Sequence, residues 1–267
     1  MQKIISKNNP IIKDIRSLSK KKYRWNNKSY IIEGIKLVEE ALDNKVILKY
    51  IIFSQSLFKA NNGKDLFARL ENFQNLIEVD ESIFKTLSDT DNPQGVLGVA
   101  QFTCSDYKDL LYKEDISLIY LDAIRDPGNL GTIIRSADAF NIKGIIMGQG
   151  SVDPYNPKVV RAGMGSLFRV PLYFDNNNYE ILRDLKAQQY KIYTTYLKGS
   201  TENYKIDYNG NYIIVIGNES AGVRDEIVNI SDALIKIPIP GSAESLNAGV
   251  ASSILMYELV RQNGEKS

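Results

Sequence analysis

From residue 116 onward, short apolar runs alternate with amphipathic stretches, and that rhythm leaves few folds open. The run Tyr212-Ile213-Ile214-Val215-Ile216 is apolar at every position, which suits a strand buried on both faces, as in a parallel sheet. Runs of this kind predict strands at 116–121, 142–147, 190–196, 212–217 and 234–238. The stretches between and after them predict helices at 129–140, 158–167, 179–188, 224–229 and 246–261. Such alternation builds an α/β layer whose ligand loops lie at the carboxyl ends of the strands. Ahead of it, Ile35, Leu37, Val38, Ala41 and Leu42 repeat at helical spacing, residues 46–53 and 95–102 are β-rich, and a polar stretch over 103–115 reads as a connection. The expected fold class is α/β throughout: a smaller α/β domain over residues 1–105, then a parallel-sheet α/β domain over 115–267.

The chain contains no histidine and a single cysteine, Cys104. Ser-His-Asp triads, His-Cys nucleophile pairs, histidine metal sites and cysteine-rich zinc sites are thereby excluded. No metal is expected, and acid–base work falls to carboxylates, Lys, Tyr, Arg or the substrate itself. No apolar run approaches the ~18–20 residues that span a bilayer, and the apolar stretch at the start is too short for a secretory signal. No membrane partner and a cytoplasmic location are the expectations.

The net charge of +1 conceals an asymmetry. Residues 1–30 hold nine Lys and Arg against one acid, Asp14, a local charge of +8 that leaves −7 for the other 237 residues. One reading is a nucleic-acid arm in which Lys20, Lys21, Lys22 and Arg24 meet phosphates while Tyr23 and Trp25 stack on bases. The other is a solvated, partly frayed terminus whose aromatics pack on the domain behind it.

Three loops carry candidate chemistry. In the first, Asp126-Pro127-Gly128-Asn129-Leu130-Gly131, Asn129 is placed to cap the helix, and Leu130, Ile133, Ile134, Ala137 and Phe140 form its buried stripe. Arg135 falls off that stripe and leans over Gly131, leaving room for an anionic ligand at the helix start; a surface ion pair is the alternative. The second loop, Gly217-Asn218-Glu219-Ser220-Ala221-Gly222, ends the 212–217 strand and sets one carboxylate at its carboxyl end; a plain strand-to-helix turn is the alternative. The third runs from Pro238 through Ser245-Leu246-Asn247 into a helix with Ala248, Gly249, Ala251, Ser252 and Ser253. So little side-chain bulk implies a close neighbour, either the core or a second subunit. Neither a Gly-x-x-x-x-Gly-Lys-Ser/Thr loop nor a Gly-x-Gly-x-x-Gly fingerprint is present.

In order and spacing, these loops resemble the SpoU/TrmH family of RNA ribose 2′-O-methyltransferases. Asp126 to Arg135 is similar to its first motif, Gly217-Asn218-Glu219 to its second and Ser245-Leu246-Asn247 to its third. Residues 156–168 are also similar to the family, and Ile32-Glu33-Gly34 with Leu37-Val38-Glu39-Glu40-Ala41 resembles its substrate-binding domain. Small departures are Ser220, where glycine is frequent, and Ala248-Gly249, where bulkier or hydroxyl-bearing residues are common. The resemblance implies S-adenosylmethionine as cofactor, held by Gly217, Asn218, Ile237 and Leu246 largely through backbone. It implies Asn129, Arg135, Glu219, Ser245 and Asn247 as catalytic-site residues, and adds Arg161 to the RNA contacts. A trefoil knot in the second domain and a homodimer are also implied, although neither periodicity nor spacing indicates them. The implied reaction is methylation of a ribose 2′-hydroxyl, in ribosomal RNA rather than transfer RNA. The alternatives are a transfer-RNA ribose methyltransferase, a non-catalytic RNA-binding homologue, or an unrelated α/β enzyme acting on a small nucleotide.

Overall fold

The first of two units is built on five strands: β1 (Gln2–Ile4), β2 (Ser29–Glu33), β3 (Leu48–Phe53), β4 (Leu76–Val79) and β5 (Val96–Gln101). This computed structural model describes residues 2–199 and 201–264. The strand order is β1-β4-β3-β5-β2, with β1, β4 and β3 parallel and β5 antiparallel to both β2 and β3. Helix α1 (Pro10–Ser17) starts where Asn9 accepts from Ile11 N at 2.9 Å and Pro10 fixes the first turn. Its Ile12 and Ile15 enter a core with Ile52, Val79, Phe84 and Leu97. Helices α2 (Lys21–Asn27), α3 (Ile35–Asp43), α4 (Gly63–Leu70) and α5 (Glu81–Phe84) follow among the described residues up to 103. Within residues 2–33 one strand pairs with β4, two helices follow and a second strand joins the sheet, rather than forming a loose arm.

Residues 153–168, expected from sequence to lie within the second domain, group with this first unit. They contain α7 (Pro157–Gly163), capped by Asn156, whose side chain accepts from Lys158 N. The helix expected over 158–167 stops early because Met164 and Gly165 both take positive φ, 46° and 86°. A β-carbon on Gly165 would lie 3.2 Å from the side chain of Glu40.

The second unit, residues 104–152 with 169–267, carries seven strands in the order β10-β12-β9-β11-β6-β7-β8. They are β6 (Ser117–Leu121), β7 (Gly144–Gly148), β8 (Leu172–Asp175), β9 (Lys191–Thr195), β10 (Thr201–Glu202), β11 (Tyr212–Ile216) and β12 (Ala233–Lys236). Every ladder in this sheet is parallel. β11, between β9 and β6, is buried at all five positions, as its apolar sequence requires. Sequence periodicity missed β8, four residues long, and β10, two residues long.

Among the described residues, four α-helices belong to this unit: α6 (Pro127–Ala139), α8 (Glu180–Ala187), α9 (Asp225–Val228) and α10 (Ala248–Gly264). Leu130, Ile133, Ile134 and Ala137 of α6 are fully buried, and Phe140 packs edge-on against Tyr257 of α10. Of the small residues of α10, Ala248 and Ala251 line the cleft described below, while Gly249 and Ser253 meet α6. Ser253 Oγ lies 2.7 Å from Ser136 Oγ, and a β-carbon on Gly249 would sit 3.2 Å from Thr132. The low bulk of these two residues is explained within one chain, by packing against α6. Among the described residues no helix is long and apolar enough to cross a membrane, and no cluster of three or more His, Cys, Asp or Glu is arranged to hold a metal.

Candidate active site

Helix α6 does not begin as its sequence suggests. Asp126, not Asn129, is the cap: its side chain accepts from Asn129 N at 2.7 Å, and Pro127 fills the first helical position, which needs no donor. Asn129 is left with a buried side chain free for other work. Its Nδ2 donates to Glu219 Oε1 at 2.8 Å, and its Oδ1 accepts from Asn247 Nδ2 at 2.7 Å. Asn247 in turn caps α10, its Oδ1 accepting from Gly249 N and Val250 N at 2.9 and 3.2 Å. Reversing either amide would oppose donor to donor, so the chain of bonds runs in one direction, from the α10 cap through Asn247 and Asn129 to Glu219. The first, second and third loops thus converge on one polar network.

The cofactor-loop candidates surround a cleft of about 740 Å³. Gly217, Asn218, Ile237, Leu246, Glu219 and Ser245 all line it. Apolar walls come from Ile216, Val223 and Ile235. Sequence reading overlooked the end of β9: Thr195, Tyr196, Leu197 and Lys198 form another wall, and Leu197 is 72% exposed despite its apolar side chain. An exposed leucine following a strand end was the available signal. Gly217 has to be glycine, since a β-carbon there would come within 2.5–2.7 Å of the Gly222 and Val223 backbone. The loop closes on itself through Asn218 N to Gly222 O and Gly222 N to Asn218 O, at 2.9 and 3.0 Å. Asn218 Oδ1 also accepts from Ser220 N and Ala221 N, both at 3.0 Å, and its Nδ2 donates to Ala123 O at 2.8 Å. Ala123 holds a left-handed φ of 57°, a strained conformation for a residue with a β-carbon.

Arg135 is exposed on α6, outside both the cleft lining and the Asn129–Glu219–Asn247 network. At the carboxyl ends of β6 and β8, burial raises the carboxyl pKa of Asp175 and pushes the neighbouring Tyr120 phenol far above its ordinary value. The Tyr120 hydroxyl donates to Asp175 Oδ2 at 3.4 Å.

In the first unit the expected RNA contacts divide. Lys20, Lys21, Lys22 and Tyr23 are exposed at the start of α2. Arg24 is not available: it is 3% exposed, and its Nε and one terminal nitrogen reach Asp153 Oδ2 at 2.8 and 2.6 Å. Its other terminal nitrogen donates to Leu18 O and Ser19 O, both at 2.8 Å. Trp25 is likewise packed inward, donating to Asp153 Oδ1 and meeting Phe102 and Tyr155 edge-on. Arg161 is half-exposed and paired with Asp89 at 2.6 Å.

Comparison with known proteins agrees with this geometry. Residues 117–257 match the SpoU rRNA Methylase family, and residues 9–98 match the MRM3-like substrate binding domain. A Bacillus subtilis protein named 23S rRNA (guanosine(2553)-2′-O)-methyltransferase RlmP is 33% identical over 97% of this chain and 99% of its own length. The crystal structure of an AdoMet-bound rRNA methyltransferase from Sinorhizobium meliloti superposes with a TM-score of 0.85, at 35% identity over 98% of both chains. The SpoU methyltransferase AviRb from Streptomyces viridochromogenes, in complex with the cofactor AdoMet, gives 0.85 at 25% identity, covering 96% of this chain and 98% of its own. With the three loops joined in one site and the match running through both units, this chain belongs to the SpoU rRNA methylase family.

Proposed function

We propose that this chain methylates a ribose 2′-hydroxyl of ribosomal RNA, using S-adenosylmethionine as the methyl donor. The observation that carries this reading is the hydrogen-bonded chain Asn247–Asn129–Glu219 at the edge of a cleft walled by glycine, backbone and aliphatic side chains. Its volume of about 740 Å³ falls inside the ~300–1,000 Å³ range of cofactor pockets. Gly217, Asn218, Ile237 and Leu246 would hold the cofactor there, and Gly217 lets the loop backbone approach it without a side chain intervening.

When bound, the cofactor supplies an electrophilic methyl group on a sulfonium sulfur, which becomes a neutral thioether once the ribose oxygen has taken the methyl. This chain's residues have to align that oxygen, dispose of its proton and hold the RNA. Arg135 orients the hydroxyl and offsets the charge of an adjacent phosphate; its planar fork of N–H groups suits it to donating hydrogen bonds rather than to taking the proton. Glu219, fixed by Asn129 and by Asn218 Nδ2 at 3.3 Å, presents a carboxylate at the cleft. Ser245, exposed in the cleft lining, adds a hydroxyl. Lys20, Lys21 and Lys22 supply sequence-independent attraction to phosphates, and Arg161 joins them once RNA competes with Asp89.

The proposal extends to a knotted second unit, a homodimer and a cytoplasmic site of action. An exposed stripe on α10 supports the dimer: Val250, Ile254, Tyr257 and Val260 are exposed apolar residues along it. Light scattering at twice the 30.1 kDa chain mass supports it, and a value at the chain mass contradicts it.

The direct test incubates the protein with labelled S-adenosylmethionine and ribosomal RNA, then digests the RNA to nucleosides. Label in a 2′-O-methylnucleoside is expected; label only in a methylated base would contradict the reading, and label acquired from transfer RNA alone would shift the substrate.

A further inference from the structure

We propose that Asp122 and Arg224 form a positioning pair for methyl transfer, holding the 217–223 loop against the end of β6 from outside the cofactor cleft. Neither residue lines the cleft. Asp122 directly follows β6, is 1% exposed, and its backbone N donates to Ile216 O at 2.8 Å. Its carboxylate takes both attachments that Arg224 offers: Oδ2 accepts from Arg224 N at 2.9 Å, and Oδ1 meets the guanidinium at 2.6 Å. The same guanidinium nitrogen donates to Gln149 O, just beyond β7, at 2.6 Å. Its planar face lies over the Tyr179 ring, 5.5 Å from the centroid.

Two consecutive residues therefore pin both ends of one loop. Asn218, at its start, is tied to Ala123 O; Arg224, one residue past Val223 at its end, is tied to Asp122. Between these anchors lie Glu219 and the Gly222 backbone, and directly before them Gly217, all of which wall the cleft. The strained φ of Ala123 is maintained at one anchor, as expected where surrounding bonds over-determine the backbone. A buried carboxylate and a guanidinium were not needed to end a strand; a backbone turn would have sufficed. What they add is a fixed distance between the strand end that leads into α6 and the loop that carries Glu219.

The proposal rests on the cofactor reading above, so the parent protein is titrated with S-adenosylmethionine beside Asp122→Asn, Arg224→Lys and Arg224→Met. Thermal melting is followed in parallel. Asp122→Asn should weaken cofactor binding and raise the cofactor KM about tenfold or more, leaving the KM for RNA unchanged. Arg224→Lys should lose less than Arg224→Met, since an ammonium reaches Asp122 or Gln149 but not both. If folded Asp122→Asn binds the cofactor like the parent, even with a lower Tm, the pair is structural only and the proposal fails. Should Asp122→Asn not fold, the Arg224→Lys to Arg224→Met comparison decides by the same criterion, equal affinity in both counting against it. A parent protein that binds no S-adenosylmethionine would overturn the functional reading itself.

Discussion

Asn129 shows what a single side chain can hide in sequence. Its residue type fits a helix cap, yet Asp126 takes that place, and the Asn129 amide bridges Asn247 to Glu219 instead. Both uses draw on the same donors and acceptors, so only the neighbours brought by tertiary folding distinguish them. Arg24 and Lys22 make the same point with charge: adjacent basic residues look alike in a string, but one is sealed against Asp153 and the other faces solvent. Arg24→Met should therefore destabilise by about 3–5 kcal/mol, since it leaves the Asp153 carboxylate buried and unpaired. Denaturant unfolding checks the figure; an unchanged midpoint with weakened RNA binding would return Arg24 to the RNA surface. For Arg135, exposed on α6, Arg135→Ala should cost about 10²–10⁴ in methyl-transfer rate while cofactor affinity stays near the parent value. Arg135→Lys should do little better, because an ammonium lacks the planar fork of donors. Rate assays paired with calorimetry test both, and loss of cofactor binding would move the first loop into the cofactor pocket.

At the scale of elements, strongly patterned segments were readable, and two short strands without a clear pattern were not. β11 is buried on both faces and α6 presents its stripe inward, as the apolar spacing required. β8 and β10 hold four and two residues, too few for a period to appear. The third loop was legible in composition but ambiguous in cause. Gly249 and Ser253 of α10 admit α6 within the chain, whereas the stripe available to a second subunit is the exposed apolar one of Val250, Ile254, Tyr257 and Val260. Gly249→Val should consequently cost about 1–3 kcal/mol by overpacking against Thr132. Its added bulk also presses on the Asn247 side chain, 3.2 Å from a β-carbon at this position, so activity should fall with stability. Chemical denaturation showing no loss would mean that α6 and α10 have room to separate.

For the whole molecule, a linear domain boundary is the part of the sequence reading that needs most revision. Cutting at residue 105 looks harmless on paper, but Asp153 completes the Arg24 site and Tyr155 stacks on Phe102 at 3.8 Å. Those partners come from opposite sides of the cut, and sequence distance gave no hint that they meet. A chain lacking residues 1–105 should thus expose an unpaired Asp153 and an uncovered Tyr155, and melt well below the full-length protein; equal Tm values would show residues 153–168 to be indifferent to the loss. The family-level conclusion was better marked, because three separately weak loops occur in one order and meet in one network. That conclusion comes down to a single chemical change in RNA. Ribose methylation mapped across total RNA, by resistance to alkaline cleavage, from cells with and without this gene tests it most directly. The expected result is loss of one or a few 2′-O-methyl sites in ribosomal RNA, restored by the parent gene and not by Arg135→Ala; an unchanged ribose-methylation map would contradict the assignment.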